Sequence, residues 1–125
     1  MLTGLASVSR ERLLQKLAIA GVSERDSKIT SYAVPAQSLD ALLDCYKRPT
    51  VDVLCIDAEG HDFEVLKSFS LPTYKPRLVM LEVHNLSPAD RSMCLAHLQE
   101  HGYAISRSLG DLIAARIDAF DSILA

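Results

Sequence analysis

Apolar residues recur along this chain at two different periods, and the changes between them mark out its elements. In "SVSRERLLQKLAIAGV" (7–22), Leu13, Leu14, Leu17 and Ala18 share one face at helical spacing. Ser9 stands at the N-cap position and Gly21 at the stop, so a short amphipathic helix is predicted. The polar connector 23–28 leads into "KITSYAV" (28–34), whose β-branched and aromatic residues predict a short edge strand ended by Pro35. "QSLDALLDCY" then returns to helical period, with Ser38 as N-cap and Leu39, Leu42, Leu43 and Tyr46 along one side.

Two nearly unbroken apolar runs follow, Val51–Ile56 and "RLVMLEV" (77–83). Each is too short for an independent helix and reads as a strand buried on both faces, the pattern of a parallel sheet. "HDFEVLKSF", with Phe63, Leu66 and Phe69 on one face, and the turn-rich "SLPTYKP" supply a helical crossover between them, giving a βαβ unit of the usual right hand. "SPADRSMCLAHLQEHG" carries Ser87 as N-cap, Pro88 at the first helical position, Met93, Leu95 and Leu98 along a face, and Gly102 as terminator. "YAISRS" and "DLIAARI", joined through Leu109–Gly110, predict a closing antiparallel hairpin. An α/β fold in a single domain, 1–125, is expected, with no repeat or low-complexity segment.

The first parallel strand runs into a packet of acid: Asp57, Glu59, His61, Asp62 and Glu64. With the two strands side by side, their carboxyl ends lie on one edge, bringing Asp57, Glu59, His61, Glu82, His84 and Asn85 to the rim where open α/β sheets bind ligands. Asp62 and Glu64 fall in the first helical turn, where the helix dipole favours negative charge, and are expected to be structural or solvated. Gly60 reports on turn geometry. Asp57 closes a strand expected to be buried, where an unpaired carboxylate is costly, so it calls for a partner or a cleft. Glu82 raises the same question, and His84 follows it on the same face. His97 and His101 are expected on the polar side and at the end of the late helix.

Composition narrows the partners. The 125 residues are 49% hydrophobic and 23% charged, with a net charge of -3, enough for one real core and without the basic patch a nucleic-acid partner requires. Cys45, Cys55 and Cys94 are odd in number, lack Cys-x-x-Cys spacing and sit mostly among apolar residues, as buried reduced thiols do. A cytoplasmic location is expected. "MLTGLASVSRER" shows no signal-peptide pattern, and no run approaches the roughly eighteen apolar residues of a membrane helix.

The stretch "AQSLDALLDCYKRPTVDVLCIDAEGHDFEVLKSFSLPTYKPRLVMLEVH" resembles the second half of the FkbM-type S-adenosylmethionine-dependent methyltransferases. Ser38-Leu39-Asp40 stands at their TLD element, Ile56-Asp57-Ala58-Glu59-Gly60 at IDVEG, Glu64-Val65-Leu66 at EVL, and Lys75-Pro76 with Glu82 at the next strand. With "HGYAI" and "GDLIAARI" at the family's closing helix and strand pair, the resemblance covers about 30–117. Cys55 departs from the usual lysine, and His61 from an aromatic or small residue.

The resemblance implies a Rossmann-like class I methyltransferase sheet, three-layered with helices on both faces, and methyl transfer from S-adenosylmethionine to a hydroxyl of a sugar, glycan or natural product. It implies Asp57 and Glu59 as cofactor contacts, and Asp57, Glu82 and His84 as the catalytic set. Imidazole is the one side chain among these types whose ordinary titration suits a base near neutrality. The five glycines, at 4, 21, 60, 102 and 110, form no glycine-rich βα turn ahead of Asp57, so a truncated domain, weak or inactive alone, is expected. A non-catalytic binding or complementing module is the alternative, with a homodimer or a second chain covering the exposed sheet edge. A further alternative uses Asp57, Glu59, His61, Glu82 and His84 as a divalent-metal site for hydrolysis.

Overall fold

The computed structural model describes residues 7–23, 28–48, 50–108 and 110–121. They fall in two compact units, 1–35 and 36–125. The opening six residues, most of the polar connector (24–27) and Leu109 of the expected hairpin connection lie outside the described residues.

In the first unit, helix α1 (Arg10–Ile19) starts where Ser9 Oγ accepts from Arg12 N at 3.4 Å. It ends in a Schellman motif, with Gly21 N donating to Ala18 O and Val22 N to Leu17 O. Gly21, at φ +72°, takes the left-handed position that closes this motif. Leu17 is buried, and Leu13 and Leu14 half-buried, whereas Ala18 is exposed. The expected strand over 28–34 does not form: these residues are irregular, with Tyr32 and Val34 exposed. β-propensity expresses packing on a sheet, and among the described residues no strand pairs with this segment.

The second unit opens with α2 (Leu39–Cys45), capped by Ser38 Oγ, which accepts from Ala41 N at 3.1 Å. Asp40 Oδ1 in turn accepts from Ser70 N at 2.8 Å, and Ser68 Oγ from Leu39 N at 3.2 Å, so α2 is tied to the crossover by reciprocal capping. Strand β1 (Val53–Ile56) is followed by α3 (Asp62–Lys67), the one-turn helix α4 (Leu71–Tyr74) and β2 (Leu78–Glu82), which pairs parallel with β1. Helix α5 (Pro88–Glu100) begins on Ser87, whose Oγ accepts from Asp90 N. Strands β3 (Tyr103–Ser108) and β4 (Asp111–Arg116) form the antiparallel hairpin, and α6 (Asp118–Asp121) follows. The sheet order is β1-β2-β4-β3, because β4 inserts antiparallel between β2 and β3.

The two parallel strands are buried on one face only. Leu54 and Ile56 are buried while Val53 and Cys55 are exposed; Val79 and Leu81 are buried while Leu78 and Met80 are half-buried. Leu54, Ile56, Val79, Leu81, Leu112 and Ala114 form one core with Phe63 and Leu66 of α3 and Cys94 and Leu98 of α5. Within this unit the expected three layers therefore reduce to two, since α3 and α5 pack together on the same side of the sheet. On α5 the inward face is Cys94 and Leu98; Met93, expected on it, is half exposed at 48%. His97 is not on a solvated side: its ring meets Phe63 edge-on at 6.4 Å, and burial, with His101 beside it, holds the imidazole below its ordinary value.

The cysteines divide. Cys45 and Cys55 are exposed, and only Cys94 is buried. Burial, reinforced by the Asp62 carboxylate, pushes the Cys94 thiol up to about 11. At pH 8 that thiol stays protonated and covered, so native protein treated with iodoacetamide gains two labels, on Cys45 and Cys55, and a third only in denaturant. Equal labelling of all three cysteines in intact-mass spectra would contradict this packing.

Candidate functional site

Asp57, Glu59 and Gly60 leave the carboxyl end of β1 in a tight turn. Glu59 is held at φ +52° and Gly60 at φ +92°, two successive left-handed residues that need an external restraint. Asp62 supplies it. Its side chain is wholly buried, Oδ1 accepting from Ala58 N at 3.0 Å and Oδ2 from Gly60 N at 2.9 Å. The carboxylate expected to be solvated or to serve the helix dipole is thus the clamp of the rim loop, its charge spread over two backbone donors. Glu64 fits its expected role, exposed and paired with Lys67 at 2.6 Å.

With the loop fixed, Glu59 reaches the end of β2. Asn85 Nδ2 donates to Glu59 Oε2 at 3.2 Å and to Glu82 Oε2 at 2.7 Å, joining two carboxylates that would otherwise repel. Glu82 Oε1 lies 3.1 Å from His84 Nδ1. Glu59, Asn85, Glu82 and His84 therefore form one connected polar network at the carboxyl ends of the parallel strands. His84 is the exposed member, with 57% of its side chain open, while Glu82 is mostly covered at 21%. Glu82 Oε1 and His84 Nδ1 are thus at ion-pair distance, which leaves Nε2 as the ring nitrogen turned away from the carboxylate.

The other expected members are placed differently. Asp57 is exposed, so the penalty for burying an unpaired carboxylate does not arise; among the described residues its side chain makes no hydrogen bond or ion pair. His61 is half-buried, with Nδ1 covered and lacking a protein partner, and does not join the network. Among the described residues no group of three His, Cys, Asp or Glu side chains is arranged to hold a metal ion, which removes the structural support for the hydrolase alternative. No helix of the described residues is long and apolar enough to cross a membrane.

Beyond the network, Val83 N and His84 N both donate to Gly110 O, at 2.9 and 3.2 Å, fastening the end of β2 to the hairpin turn. Gly110 sits at φ +126°, and a Cβ there would stand 3.5 Å from His84 Cβ. Arg91, in the first turns of α5, donates from Nη2 to Val83 O at 2.8 Å. A cation so near a helix N-terminus opposes the helix dipole, which is the sequence signal that could have singled Arg91 out. Arg107 shares the parity of Tyr103 and Ile105 along β3, another readable clue.

The network lies at the carboxyl ends of the parallel strands of a mixed α/β sheet, the edge where open α/β sheets in general bind small ligands. Residues 4–105 match the model of the methyltransferase FkbM domain, and the chain belongs to that family. The match takes in the opening helix as well as the stretch from which the resemblance was read. No curated protein and no solved structure matches the chain significantly.

Proposed function

We propose that this chain acts in S-adenosylmethionine-dependent O-methylation, with the acceptor hydroxyl of a sugar, glycan or natural product placed against His84. The single observation that carries this reading is the Glu82–His84 pair at 3.1 Å, set at the rim of the parallel strands in a chain of a methyltransferase family. His84 Nε2, the ring nitrogen turned away from Glu82, would take the proton of the acceptor hydroxyl as the cofactor supplied the methyl group. Glu82, at ion-pair distance from Nδ1, orients the ring. Asn85 keeps Glu82 in place and bridges it to Glu59 by donating to both carboxylates.

S-adenosylmethionine supplies an electrophilic methyl group and carries an α-ammonium, which the exposed, unpaired carboxylate of Asp57 suits. Glu59 is the second carboxylate on the same loop, and its left-handed backbone turns it toward Asn85. The fit covers the methionyl end of the cofactor; the described residues before β1 provide no strand with a glycine-rich turn for the remainder.

Calorimetric titration with S-adenosylmethionine and S-adenosylhomocysteine is the test. Saturable binding is expected, weakened at least tenfold in Asp57→Ala. A folded chain that gives no heat would overturn cofactor binding by this chain alone. It would favour the second reading, a module completed by another chain, for which the specific observation is that β1 is one of the two terminal strands of the sheet among the described residues, with Val53 and Cys55 exposed.

A further inference from the structure

A cavity of about 270 Å³ lies on the hairpin side of His84, lined by Val83, His84, Arg91, Arg107, Ser108 and Gly110, with Asp111 and Leu112 completing it. Its polar wall is cationic in a chain whose net charge is negative: two guanidiniums, an imidazole and a hydroxyl against one carboxylate, Asp111. Arg91 is already positioned by its bond to Val83 O, and its Nε is buried without an acceptor from the protein. A buried donor left unmatched is costly, and a guanidinium fork is shaped for the paired oxygens of a carboxylate or phosphate. The Arg107 side chain makes no hydrogen bond or ion pair among the described residues, so its charge is uncommitted.

We propose that this cavity is an oxyanion subsite, in which Arg91 and Arg107 hold a carboxylate or phosphate carried by the same small molecule whose hydroxyl meets His84. The shared wall is the reason for the assignment. His84 belongs both to the network with Glu82 and to the cavity, so a hydroxyl at its ring and an anion at the two arginines lie on one ligand of a few carbons' span. The volume admits a charged group with its neighbouring carbons, below the range of drug-sized ligands. Ser108 adds a hydroxyl donor to the same wall. The substrate class is thereby a hydroxylated acid, either a sugar acid or a sugar phosphate. The placement of the hydroxyl rests on the methyl-transfer reading; the binding of the anion does not.

The test is an amide-resolved NMR titration of the full chain, at fixed ionic strength, with D-glucuronate, glucose 6-phosphate and neutral methyl α-D-glucoside. Saturable shifts centred on His84, Gly110 and Leu112 are expected with one or both charged sugars and not with the neutral one; the one that saturates identifies the oxyanion. Arg107→Gln, at an exposed strand end, is expected to weaken that binding at least tenfold with the spectrum otherwise retained, and Arg91→Gln at least as much where it folds. Absence of saturation with both charged sugars, equal response to the neutral sugar, or undiminished affinity in Arg107→Gln would each overturn the subsite. Anion binding that persists in a chain failing the S-adenosylmethionine titration would keep the subsite and reject cofactor binding by this chain alone, which separates the two.

Discussion

Asp62→Ala is expected to lower the unfolding free energy by about 3 kcal/mol, the scale on which charged hydrogen bonds are lost and buried donors left unmatched. The side chain is 0% exposed and serves Ala58 N and Gly60 N at once. Asparagine is a poor substitute, because its amide nitrogen would meet one of those N–H groups as a second donor. For a unit of this size the thermal midpoint should fall by roughly 10–20 °C. Because Asp62 restrains two successive left-handed residues, the loop carrying Asp57 and Glu59 should also loosen, visible as faster amide exchange at Ala58 and Gly60. Glu64→Ala is the control. Its exposed i,i+3 pair with Lys67 should contribute less than about 0.5 kcal/mol. An Asp62→Ala protein as stable as Glu64→Ala would mean that the clamp does not hold the loop.

Leu98→Ala should cost about 3–4 kcal/mol, within the range for emptying a fully buried leucine site. Leu98 is 0% exposed in the core that unites α5 with α3 and the inner sheet face. Its neighbours are anchored to β-strands or short helices, so collapse into the space is limited and the cavity term persists. Met93→Ala, on the same helix, should change stability by less than about 0.5 kcal/mol, since that side chain is 48% exposed. Urea denaturation of the two variants checks both. Similar losses would mean that α5 is rotated from the placement described here. The contrast also bears on the cavity, because rotation of α5 would carry Arg91 away from Val83 O.

Much of this fold is legible without coordinates because its signals are local. Ser9, Ser38 and Ser87 each cap the helix they were expected to start, since a serine hydroxyl before an apolar-periodic run satisfies an otherwise unpaired N–H whatever surrounds it. Gly21 and the Ser87-Pro88 start act through backbone conformation alone. The parallel pair and the closing hairpin follow from short apolar runs of strand length. The rim residues Glu59, Glu82, His84 and Asn85 were found because parallel neighbours must end on one edge.

What failed was non-local. The 28–34 segment has strand-forming residues, but a strand exists only with a neighbour to pair with, and composition does not supply one. Continuous apolar runs implied burial on both faces, yet Val53 and Cys55 are exposed, because coverage depends on which side α3 and α5 take. Asp62 reads in sequence as one more acidic residue in a helical first turn; only the turn's closure brings its carboxylate onto two backbone donors. Arg91 and Arg107, sixteen positions apart by number, meet around one cavity because β4 inserts beside β2 and Gly110 accepts from Val83 and His84. The chain by itself determined where its capped helices start and which family it belongs to, since capping, periodicity and motif spacing are properties of neighbouring residues. The tertiary structure alone decided which carboxylate is a clamp, which histidine is paired and where positive charge gathers, since those depend on side chains brought together from distant positions.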